Sequence, residues 1–183
     1  MREFPPAGHA AIRAIDRFTD ATGGLVSLVM LYILVALVCE AFSRYLLGVA
    51  TNWAPETTVM ANGAAFMLGC GYALLKRAHV RTDLFWSRYS GRKQGAIDLA
   101  SYLLFFFPAM LALVWIGVGD VWYSFRIGEV SGLTPWGAVM WPFRAALPLA
   151  ALLLIVQGVS ETLKSWYALR TGREYERREG AGL

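Results

Sequence analysis

Charge is scarce in this sequence, and so are the side chains that most enzymes use for chemistry. Charged residues make up 16% of the 183, against about 25% in an ordinary soluble domain. Two cysteines, Cys39 and Cys70, are too few for a disulfide-framed secreted module or a multi-cysteine zinc site. Two histidines, His9 and His79, both lie outside the long apolar runs, so no histidine pair can clamp a haem inside a helical bundle. The sequence has no glycine-rich phosphate loop followed by Lys and Ser/Thr. No local signature marks a Ser-His-acid triad, and no pair of Gly/Pro-broken helices marks an inverted-repeat transporter core. What the chain has in excess is apolar surface. Hydrophobic residues reach 57%, against roughly 45–50% for a soluble domain, and this is the composition of an integral membrane protein.

A bilayer core about 30 Å thick takes about 20 apolar helical residues, because only a helix satisfies its own backbone hydrogen bonds there. Four segments qualify, at about 22–47, 55–75, 97–122 and 141–163. None alternates with period two, which argues against a transmembrane β-barrel. The expected fold is an all-α integral membrane protein, a single membrane domain over residues 1–183 with four transmembrane helices. Fourteen of the seventeen Lys and Arg residues fall in the N-terminal tail, in the connection between spans two and three, or at the C-terminal end. The positive-inside rule then places the N and C termini and the middle loop in the cytoplasm. Span one begins after about twenty mixed residues and is too long for a signal core, so it is expected to be retained. Ahead of it, Ile12, Ile15 and Phe18 stand at helical spacing with Arg13, Asp16 and Arg17 between them. A short amphipathic N-terminal helix on the cytoplasmic interface fits this pattern, and so does a solvated tail with a frayed helix. The charged C-terminal stretch 170–183 is expected to fray.

Span two carries Ala61, Ala65, Gly69 and Ala73 four residues apart, a stripe of small side chains that lets another helix approach closely. That helix could belong to this chain or to a partner. Trp53, Trp122, Trp136 and Trp141 mark the outward boundary, and Trp86 and Trp166 the inward one. Pro108 predicts a kink in span three, and Pro148 one in span four. Glu40 and Arg44 are four apart with the acid first, which suits a local ion pair, while Arg44 can also reach Glu56 across a short loop. An ion or substrate site is the alternative reading of charges in such segments. Glu40, Arg126, Glu129 and Arg144 are the candidates for contact with an outer partner. Asn62 and Gln157 are the candidates for hydrogen bonds between helices. On residues alone, this is a helical membrane subunit that holds something else. A membrane anchor subunit of a redox enzyme complex and a small homo-oligomeric transporter remain as alternatives.

The segment Phe42-Ser43-Arg44-Tyr45-Leu46-Leu47-Gly48 resembles the F-x-R-Y-x-x-G stretch of the small permease subunit of TRAP (tripartite ATP-independent periplasmic) transporters, the DctQ-like or Q subunit. The resemblance continues through Trp53 and Glu56, through Gly69-Cys70-Gly71-Tyr72-Ala73-Leu74, and through His79-Val80-Arg81-Thr82-Asp83, which is similar to an H-V-R-x-D motif. Pro135-Trp136, Trp141-Pro142 and Gln157-Gly158 complete it, over about residues 12 to 168. One departure is a single acid, Glu56 after Pro55, where the family often has two adjacent carboxylates. The resemblance implies a non-enzymatic subunit of the bacterial inner membrane. Its partners would be a large permease subunit and a periplasmic substrate-binding protein that delivers an organic acid. It also implies that the large subunit works as a sodium-coupled elevator, with this chain as a fixed scaffold. No cofactor is then expected in this chain, and sodium would bind in the large subunit.

Overall fold

The computed structural model describes residues 6–76 and 91–171. Seven segments follow in chain order: α1 (Pro6–Leu46), α2 (Trp53–Leu75), α3 (Gly91–Ser101), a π-helical turn (Tyr102–Phe106), α4 (Phe107–Ile127), α5 (Trp141–Arg144) and α6 (Ala146–Thr171). Taken through their junctions they form four helices long and apolar enough to cross a membrane, Gly8–Leu46, Trp53–Leu75, Gly91–Ile127 and Trp141–Thr171. The described residues contain no strand, only an isolated antiparallel bridge between Val130 and Val139. His79, Arg81 and Asp83, Trp86 and the tail beyond Thr171 lie outside the described residues.

One end of the bundle holds the connections 47–52 and 128–140, and is called the loop end here. The other holds the start of α1 and the finish of α6, the terminal end. α2 has 23 residues, about 35 Å at 1.5 Å per residue, which matches a bilayer core. α1 has 41 residues, about 61 Å by the same rise. Gly23 of α1 lies against the ring of Tyr72 near the end of α2, so residues 6–20 overhang at the terminal end. The separate interfacial helix suggested for residues 10–18 is instead the first part of this continuous helix. Ile12 and Asp16 are buried while Phe18 is exposed, so its packed face is turned toward α6 rather than laid on lipid.

The overhang is matched by α3, whose Gly95 packs onto α6 so closely that a Cβ there would stand 2.7 Å from Ser165 O and Leu169 N. Only glycine lets two backbones meet at that distance. Next along the same span comes the π turn, where Phe107 N–H bonds Tyr102 O five residues back. Pro108 supplies the reason: it has no N–H to bond the Leu104 carbonyl and its ring crowds that oxygen, so the helix widens just before it. Phe106, at the end of this turn, lies over Gly158 of α6 at a distance only a missing side chain allows. Pro148 acts differently, because its absent donor coincides with the break at Ala145 that separates α5 from α6. The small stripe of α2 is answered inside the chain: Ala65 is buried and Gly69 faces Val26 of α1. Trp115, by contrast, is 84% exposed and touches no core.

Candidate functional site

At the terminal end a polar cluster joins α1 to α6. Asp16 and Thr19 stand at helical spacing along α1, and Gln157, Ser160, Glu161 and Lys164 do so along α6, which brings two polar faces together. Asp16 Oδ1 accepts from Ser160 Oγ at 2.8 Å and from Gln157 Nε2 at 3.2 Å. Lys164 Nζ bridges Asp16 Oδ2 at 3.0 Å and Glu161 Oε1 at 2.7 Å. Thr19 Oγ1 donates to Gln157 Oε1 at 2.8 Å, and Gln157 is fully buried. Charges removed from water persist only when paired and hydrogen-bonded, and here one ammonium lies between two carboxylates. The cluster works as a joint between helices. Sequence reasoning assigned Gln157 correctly to hydrogen bonding between helices but did not single out Asp16 or Lys164. The spacing Asp16–Thr19 and Gln157–Glu161–Lys164 is the signal that pointed there. Asn62 lies exposed instead.

At the loop end the carboxylates hold loops. Glu40, near the end of α1, pairs with Arg44 one turn on and with the Thr51 hydroxyl. It also accepts the Thr51 backbone N–H at 3.0 Å. Ser43 Oγ donates to Val49 O at 2.6 Å, and Val49 N–H returns to Ser43 O at 3.1 Å. Gly48 sits between them at φ 70°, a left-handed conformation that a side chain disfavours. Phe42 and Tyr45 of the same stretch point outward. Arg44 therefore joins Glu40, while Glu56 has other partners. It lies in the first turn of α2 with 0% exposure, accepts from the Thr134 hydroxyl, and takes the Ala138 N–H at 3.2 Å.

Those two partners belong to a small hairpin between α4 and α5. Met140 N–H bonds Glu129 O at 3.0 Å and Ser131 N–H bonds Ala138 O at 2.8 Å. Gly137 N–H closes the turn onto Thr134 O at 3.2 Å, with Pro135 at the second turn position and Gly137 at φ 64°. Proline presets the first bend and glycine supplies the left-handed residue after it. At the base of the hairpin Arg144 Nη1 meets both oxygens of Asp120, at 2.7 and 2.6 Å, and Nη2 meets Glu129 Oε1 at 2.6 Å. Arg144 Nε and Glu129 Oε2 have no partner, so this pair shares one bond instead of a fork. The Arg144 guanidinium holds the Glu129 carboxyl below the usual carboxylate range, against the desolvation that raises it. The Ser124 hydroxyl lies beside that carboxylate, outside hydrogen-bonding geometry.

Of the four candidate partner contacts, Glu40, Glu129 and Arg144 are engaged within the chain. Arg126 lies over the ring of Trp122 at 5.1 Å, exposed on α4. Trp53, Gly69 and Tyr72 fall on α2 as expected, with Tyr72 against Gly23. Thr134 and Asp120, which complete the loop-end ties, were visible in sequence only as a loop threonine and a span-end acid. Among the described residues no group of three or more His, Cys, Asp or Glu side chains is placed to hold a metal ion. Comparisons with curated proteins and with solved structures returned no match. A family model described as tripartite ATP-independent periplasmic transporters, DctQ component, matches residues 33–168. This stretch contains the Phe42–Gly48 loop closure, the Glu56 tie and the whole loop-end hairpin. The chain belongs to this DctQ family: it is the small inner-membrane subunit of a TRAP transporter.

Proposed function

We propose that this subunit is the stationary frame of its transporter. In this reading both termini face the cytoplasm, and the chain packs against a large permease subunit. That subunit carries an organic acid by a sodium-coupled elevator movement after a periplasmic binding protein delivers it. Solute and sodium pass through the large subunit and not between these four helices. The observation that supports this best is that the bundle is tied at both ends. Asp16, Glu161 and Lys164 fasten α1 to α6 at one end, and Glu40, Glu56 and Arg144 fasten the connections at the other. A moving transport domain needs such a fixed neighbour to slide against.

The experiment locks the frame. A Cβ built on Gly71 lies 3.5 Å from Leu153 Cβ, within the separation a disulfide accepts. Gly71→Cys with Leu153→Cys, in a chain carrying Cys39→Ser and Cys70→Ser, links α2 to α6 on oxidation. In proteoliposomes containing the complete three-component system, uptake is expected to be the same before and after oxidation. Loss of uptake on oxidation, recovered on reduction, would show that these helices move during transport and would overturn the reading.

A further inference from the structure

Both connections at the loop end lack Asp, Glu, Lys, Arg and His over long stretches, residues 45–55 and 130–143. A loop that stands in water seldom reads this way. Apart from Asn52, the large side chains they expose are apolar: Leu47 and Val49 in the first, and Val130, Leu133, Trp136 and Val139 in the second. Trp53 and Trp141, at the helix starts that follow these connections, are about 40% exposed. The second connection is two-faced. Ala138 is buried and Thr134 is turned to Glu56, whereas the bridged pair Val130 and Val139 are both more than half exposed. The apolar face cannot fold back on the bundle, because the polar face is already fastened to it.

Depth follows from the ties. Thr134 stands at the turn of the hairpin, yet it bonds Glu56 in the first turn of α2. The hairpin therefore lies at the level of the helix ends and does not stand above them. Likewise Thr51 is drawn down to Glu40, nearly two turns inside the end of α1. The headgroup layer is about 5–8 Å thick on each side of the hydrocarbon core, and tryptophan collects there because its ring is apolar and its N–H polar.

We propose that the loop end is a membrane-interface surface. Both connections lie in the headgroup and upper acyl layer of one leaflet, with Val49, Leu133 and Trp136 against lipid, and the bundle is seated flush on that side while it overhangs on the other. The occupant of the exposed apolar face is lipid, since the face runs on into the exposed apolar side chains of the spans and carries no charge of its own to orient a soluble partner.

The test uses the full chain with its large subunit in lipid nanodiscs, with Cys39→Ser and Cys70→Ser as background. A nitroxide is attached at Val49→Cys in one sample and at Leu133→Cys in another. Collision with oxygen, which concentrates in lipid, is compared with collision with a water-soluble nickel chelate. The expected result is oxygen accessibility several-fold above nickel accessibility at both sites. Nickel accessibility equal to or above that of oxygen would place the loops in water and overturn the proposal. Low accessibility to both reagents would mean that protein covers the face, and would overturn it equally. A label at Val139→Cys repeats the measurement should the Leu133 variant fold poorly.

Discussion

The two ends of this bundle use the same chemistry for different tasks. At the terminal end Asp16, Glu161 and Lys164 join one helix directly to another. At the loop end Glu40 and Glu56 grip backbone N–H groups and threonine hydroxyls of the connections. The first arrangement sets how the helices sit against each other; the second sets the shape of segments with little apolar packing of their own. Removing a charge should therefore weaken the whole bundle at one end and only free a loop at the other.

The sharpest break in that comparison is Lys164→Met, which leaves two buried carboxylates without a cation. A loss of about 3–5 kcal/mol is expected for stripping one partner from a buried pair, read as a large fall in melting temperature in nanodiscs. Neutralising the whole cluster, with Asp16→Asn and Glu161→Gln added, should recover most of it, since no uncompensated charge then remains. A Lys164→Met protein that melts like the parent would show that the joint does not hold the helices. Next in size is Glu56→Ala. Hydrogen exchange at the Ala138 amide is expected to speed up many-fold while helical amides of α1 and α6 keep their protection. Equal acceleration throughout the bundle would erase the distinction between the ends.

The smallest effect is one of pH. Arg144 keeps the Glu129 carboxyl ionised below the usual carboxylate range. The stability this contributes is fully present above the carboxyl's unfolded-state pKa and is lost as pH falls through its lowered folded value. Acidification should thus loosen the base of the hairpin, seen as a lower protection factor at the Met140 amide, with each rate normalised to the intrinsic exchange rate at that pH. Glu129→Gln should remove that pH response and leave the amide weakly protected at all pH values. A parent and a variant with identical pH profiles would place the titration elsewhere.

Much of the fold was legible beforehand because span length and apolar content follow directly from bilayer thickness. The four spans, the Glu40–Arg44 pair and the role of Gln157 were all readable at short range or from composition. The ends of the helices were not. Residues 10–18 look like a separate amphipathic helix because Arg13 and Arg17 interrupt the apolar pattern, and only α6 explains why Asp16 faces inward. Pro108 predicts an irregularity, but whether it becomes a kink or a π turn depends on where Phe106 must lie over Gly158. Glu56 carries no local sign of its partners, because Thr134 and Ala138 are 78 and 82 residues away.

By itself, the sequence determined that this protein spans a membrane four times and that it belongs with the small TRAP subunits. Burial in lipid forces helices of a given length, and short motifs survive in linear order. The tertiary structure alone decided which acid holds which loop and which helices overhang. A carboxylate finds its partner by position in space, and spacing along the chain does not encode contacts made across a hundred residues.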